Sequence, residues 1–81
     1  MTVVWTDTAL AGLAEVPAAI GREILRKVRA ARRFPEMFPE RQRGRFRGYR
    51  WFPAGDWLVF YQVAGKRLVV LGIMYGMMRD A

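Results

Sequence analysis

Apolar residues recur along this chain in two different rhythms. Thr2 to Thr6 carries β-branched and aromatic residues in a short run, which predicts an edge strand. Asp7 is a good helix cap, and Leu10, Leu13 and Val16 follow at helical spacing until Pro17 breaks the pattern. Pro17 suits the opening of a second helix, predicted to run to Arg33. Ile20, Ile24, Val28 and Ala31 form its apolar stripe, with Leu25 beside it, and charged residues occupy the rest. The joint is too short for the helices to diverge, so an antiparallel αα-hairpin is expected.

The rhythm then changes. Phe34 to Gln42 holds two prolines and the element Phe-Pro-Glu twice, and reads as a packed loop. Three strands are predicted after it, at about Gly44–Phe52, Trp57–Val63 and Arg67–Tyr75. Pro53-Ala54-Gly55-Asp56 and Ala64-Gly65-Lys66 supply the turns between them. The Trp57–Val63 segment is apolar on both faces except at Gln62, as a covered central strand should be. The order is β-α-α-β-β-β. The expected class is α+β: a single domain over residues 1–81, with an αα-hairpin packed on a mainly antiparallel, twisted sheet.

Composition narrows the chemistry. The chain has neither cysteine nor histidine, so thiolate chemistry, disulfides and the commonest general base are excluded. Its seven carboxylates are scattered, and no metal site or cofactor is expected. Twelve of the fourteen basic residues are arginine, and the formal net charge is +7, which points to nucleic acid or an acidic protein partner. A 53% hydrophobic content in so short a chain implies apolar surface reserved for a partner. The opening residues lack the pattern of a signal peptide, and no apolar run is long enough to span a bilayer; the expectation is a cytoplasmic protein without membrane association.

The arginines concentrate at Arg41, Arg43, Arg45, Arg47 and Arg50. Strand alternation places Arg43, Arg45 and Arg47 on one face, and a bulge at Gly48 would return Arg50 to it. Such a row suits phosphates, with Tyr49, Trp51 and Trp57 available for stacking on bases. The alternative is a charged edge strand that discourages aggregation. The basic face of the second helix (Arg22, Arg26, Lys27, Arg29, Arg32, Arg33) reads as a solvated surface, and Arg79 is expected where the last strand ends.

Two segments resemble the RelE/ParE superfamily of small bacterial toxins from type II toxin–antitoxin systems. Arg50-Trp51-Phe52-Pro53-Ala54-Gly55-Asp56-Trp57, continuing to Tyr61-Gln62-Val63, is similar to its pattern of arginine, aromatic, Pro-x-Gly and apolar strand. The closing strand from Leu68 to Arg79-Asp80 resembles its last strand, with Tyr75 where histidine is frequent and one extra residue, from Met77-Met78, before Arg79.

The resemblance implies one of two targets. The Pro-x-Gly hairpin leans toward the ParE-like branch, which poisons DNA gyrase. The RelE-like alternative is a metal-independent endoribonuclease that cuts messenger RNA on the ribosome. There Arg45, Arg47, Arg50 and Arg79 would supply cations, and Tyr61 or Tyr75 would assist proton transfer. A third possibility is a non-toxic basic binding module on the same fold. The resemblance also implies a cognate acidic antitoxin, with the chain a homodimer or part of a heterotetramer.

Overall fold

The computed structural model describes residues 1–76. In order along the chain these form β1 (Thr2–Trp5), α1 (Asp7–Glu15), α2 (Ala18–Arg33), β2 (Arg50–Ala54), β3 (Trp57–Ala64) and β4 (Arg67–Tyr75). The strands make one sheet in the order β1-β4-β3-β2. β2, β3 and β4 form an antiparallel meander, and β1 pairs parallel with β4 from Thr2↔Arg67 to Trp5↔Val70. The expected α+β class and element order are therefore present.

Each meander turn is two residues long, with positive φ at its first central residue only: Gly55 (57°) and Gly65 (61°). That is the pattern of a type II′ hairpin, whose twist matches the flanking strands. Pro53 and Ala54, expected in the turn, pair with Leu58 and Trp57 as part of β2. Pro53 is tolerated because β2 ends the sheet.

Both helices cover one sheet face. Ala9, Ile24, Val28 and Ala31 pack against Phe52, Ala54, Val59, Tyr61, Leu68 and Val70, all fully or almost fully buried. α1 runs along β4 to bring Gly12 against Ile73. α2 returns from the Gly55 turn, where Ile20 packs, to the start of β1, where Arg32 Nε donates to the Met1 carbonyl at 2.7 Å. Between them Lys27 Nζ donates to the Pro53 carbonyl at 2.6 Å.

Two details of the helices differ from expectation. Thr6, not Asp7, caps α1: its Oγ1 accepts the Ala9 N–H at 3.0 Å and donates to the Leu71 carbonyl at 2.8 Å. Asp7 is instead the first helical residue, where its charge favours the positive helix end. Leu10 points to solvent because the small residues Ala9 and Gly12 face the sheet and let α1 approach closely.

The Leu71 carbonyl is available because β4 carries a bulge there. Tyr61 pairs with Val70 but Phe60 pairs with Gly72, so Leu71 is the extra residue. The inserted residue changes the alternation, so Val70 and Ile73 both face the helices.

The largest departure lies before β2. The expected strand Gly44–Phe52 begins only at Arg50. Positive φ at Gly44 (79°), Phe46 (65°) and Gly48 (90°) is incompatible with an extended run. Residues 39–41 instead lie antiparallel to residues 49–51, with a Glu40↔Arg50 bridge, an Arg41 N–H to Tyr49 carbonyl bond of 2.7 Å and a Trp51 N–H to Pro39 carbonyl bond of 3.0 Å. The arginines at 43, 45 and 47 thus sit on the loop of a rudimentary hairpin, and the Gly48 bulge gives way to a turn.

Candidate functional site

The sheet face opposite the helices is apolar at its centre and basic at its rim. Leu58 and Phe60 are buried there although no helix covers them. Phe60 is covered by the hairpin loop: the Phe46 ring stacks on it at 4.4 Å with an interplanar angle of 18°. The Arg41 guanidinium lies 5.3 Å from the same ring centroid, a cation–π distance. Tyr49 then meets Phe46 edge-on at 6.3 Å. Stacking on Phe60 offsets the strain of a positive φ at a phenylalanine, roughly 1–3 kcal/mol.

Two concavities flank this loop. One of about 420 Å³ is bordered by Arg41, Trp51, Pro53, Asp56, Leu58 and Tyr75. The other, about 820 Å³, is lined by Arg41, Gln42, Arg43 and Trp51, among others. Arg41 and Trp51 are common to both. Trp57 and Tyr75 form a cross-strand pair at the sheet end, their rings edge-to-face at 5.4 Å.

The sequence-derived candidates therefore separate. Arg41, Arg43, Trp51 and Tyr75 gather around the two concavities, while Arg45 and Arg47 are exposed on the loop. Arg50 and Tyr61 face the other way. They pair across β2 and β3 on the helix side, where Arg50 Nη1 donates to the Phe38 carbonyl at 2.7 Å and Tyr61 Oη to the Pro35 carbonyl at 2.8 Å. Both bonds hold the loop after α2, which Phe38 anchors by packing on Phe52 at 4.7 Å. Arg79 lies outside the described residues.

Two residues were not singled out from sequence. Arg41 was named with the arginine cluster but fell in the predicted loop Phe34–Gln42, ahead of the predicted strand, and so stayed out of the candidate row. Phe46 stands between Arg45 and Arg47, and that apolar break in the polar pattern was the available signal.

Burial pushes the pKa of Tyr61 above its ordinary value of about 10, with Arg50 pulling partly the other way. The protonated phenol is thus favoured by folding. That stability is fully present below the unfolded pKa and is lost as pH rises through the folded one. Urea titrations between about pH 9 and pH 12 should show stability falling more steeply in the wild type than in Tyr61→Phe. Parallel curves would mean that Tyr61 is not the titrating group.

Among the described residues, no cluster of three acidic side chains could hold a metal ion, and no helix is long and apolar enough to cross a membrane.

Similarity to known proteins agrees with this architecture. The chain superimposes on the YoeB/ParE toxin from Agrobacterium tumefaciens with a TM-score of 0.75 at 24% identity, covering 93% of this chain and 98% of that one. The RelBE2 toxin–antitoxin complex of Mycobacterium tuberculosis gives 0.75 at 21% identity, covering 91% and 95%. The chromosomal ParDE system of P. aeruginosa gives 0.66 at 21%, covering 93% and 95%. Identities at this level speak for the fold. No curated protein sequence matches the chain. The family model for the ParE toxin of the type II toxin–antitoxin system parDE matches residues 3–79, nearly the whole chain, which therefore belongs to that toxin family within the RelE/ParE fold.

Proposed function

We propose that this protein arrests growth by binding and inhibiting DNA gyrase, and that a cognate acidic antitoxin neutralises it in the cytoplasm as a toxin–antitoxin heterotetramer. The observation that carries the gyrase reading is the dispersal, among the described residues, of the groups an RNA-cleaving site would need. Attack of a ribose hydroxyl on its neighbouring phosphate needs a base, an acid and cations in one place. Arg50 and Tyr61 are bonded to loop carbonyls on the helix side, and the opposite face offers Tyr75 near Arg41. Tyrosine, with an ordinary pKa of about 10, is a poor base at neutral pH. A protein that works by occupying its target needs no such set.

The antitoxin reading draws support from complexes of this fold, such as RelBE2 and ParDE. It also agrees with the +7 charge, which an acidic chain complements.

Controlled expression in a bacterial host, followed by a supercoiling assay with purified gyrase, tests the reading. Growth arrest, a DNA-damage response, intact messages and inhibited supercoiling are expected. Rapid message cleavage with unaffected supercoiling would replace it by the ribonuclease alternative. Unimpaired growth with folded protein present would leave only a non-toxic binding module.

A further inference from the structure

We propose that the loop of residues 42–48 is a preformed clamp for the sugar–phosphate backbone of duplex DNA, contacted through Arg43, Arg45 and Arg47. Between Arg41 and Arg50 the chain carries five arginines and no acidic residue. Arg43, Arg45 and Arg47 are all exposed, unlike Arg50. Like charges crowded into a short loop repel one another, and a loop selected only for solubility would have no reason to be held in one shape.

This loop is held. The Gly48 N–H donates to the Arg41 carbonyl at 2.9 Å, the Tyr49 N–H to the Phe46 carbonyl at 3.0 Å and the Arg47 N–H to the Gly44 carbonyl at 3.2 Å. Phe46, at a φ of 65°, anchors the loop's middle on Phe60. The ordering cost of the backbone is thus met during folding, before any ligand arrives, which is the condition for strong binding by few contacts.

The same anchoring identifies the form of the ligand. Single strands are captured by aromatic platforms on which bases stack. Here Phe46, the one ring among residues 42–48, is stacked on Phe60, so the loop itself offers guanidinium groups without a free ring. Planar donors alone fit phosphates and carry no base preference. That the duplex is DNA rests on the gyrase reading above. The clamp would let the toxin touch the DNA that gyrase holds as well as the enzyme.

Fluorescence anisotropy of the purified chain with a 24-base-pair DNA duplex, without gyrase, tests the clamp; duplex length and probe are of the order needed to exceed one small-domain footprint. The wild type should bind with a log–log salt slope of about −3 or steeper. Replacing Arg43, Arg45 and Arg47 with alanine should make that slope shallower by about one per arginine and weaken binding at least about 10-fold. The control replaces Arg22, Arg26 and Arg29, exposed on α2, and removes the same charge. Equal loss in both triple variants would reduce the effect to net charge and overturn the clamp. Phe46→Ala keeps every arginine but frees the loop, and should weaken binding several-fold; wild-type affinity there would overturn preorganisation. Tighter binding of single-stranded DNA or of duplex RNA would overturn the choice of ligand. Circular dichroism and thermal melting of each variant separate lost binding from lost folding. Because gyrase is absent from the assay, failure of the clamp and failure of the gyrase reading are distinguishable.

Discussion

Replacing Phe52 with alanine is expected to remove about 3–5 kcal/mol of stability, the usual cost of deleting a buried phenylalanine. The ring is fully buried and serves three elements at once. It packs against Phe38 at 4.7 Å and Tyr61 at 6.4 Å, and Lys27 of α2 lies 5.8 Å above it. Its loss would open a cavity beneath α2 and loosen the segment that carries the chain from α2 to the arginine loop. For 81 residues a total stability of about 4–12 kcal/mol is expected, so the variant should stand near the edge of unfolding. Each kcal/mol lowers the melting temperature by roughly 4–8 °C in a domain of this size. Chemical denaturation measures the loss directly. A change below about 1 kcal/mol would mean that Phe52 does not join these elements.

Gly12→Val should also destabilise, though less, and for the opposite reason. A Cβ at Gly12 would lie 2.9 Å from Ile73 Cβ and 3.2 Å from the Ile73 carbonyl oxygen. Neither can swing aside, since both are fixed by the backbone of a central strand. α1 would have to lift from β4, a cost of about 1–3 kcal/mol. Gly21 provides the comparison. A Cβ there would meet Val16 at 3.7 Å and Leu13 at 4.0 Å, ordinary contacts. Gly21→Ala should therefore stabilise by about 0.4–1 kcal/mol through the unfolded chain and helix propensity. Denaturation midpoints moving in opposite directions for the two sites would establish close approach at Gly12. If Gly12→Val melts like the wild type, α1 does not dock as described.

The same contrast marks where sequence reasoning reached and where it stopped. Residue spacing identified α2 and the bounds of β4 well, because α2 keeps one helical periodicity and β4 is a continuous apolar run, even though the bulge at Leu71 interrupts its alternation. Ala18–Arg33 follows one helical stripe and Arg67–Tyr75 one strand. The arginine segment misled because alternation of charge with Gly, Phe and Tyr looks like a strand, whereas three positive φ angles make it a loop. Gly44 and Gly48 were the local hints, but Phe46 adopts its conformation because Phe60, fourteen positions later, offers a ring to stack on. Arg50 and Tyr61 looked like chemistry because arginine and tyrosine near an aromatic motif invite that reading. Register decides their direction, and register is a property of the paired strands.

The sequence by itself determined the element order, the toxin-like hairpin, the basic charge and the absence of histidine and cysteine, because these depend on residue identity and short-range spacing. Only the tertiary structure decided which face each arginine serves. The parallel pairing of β1 with β4, the bulge at Leu71 and the fold-back of Phe46 all join residues far apart in the chain. Their energies come from burial and long-range hydrogen bonds, which spacing along a sequence does not encode. The arginine loop stands on the open face for that reason, and Arg50 and Tyr61 stand beneath the helices.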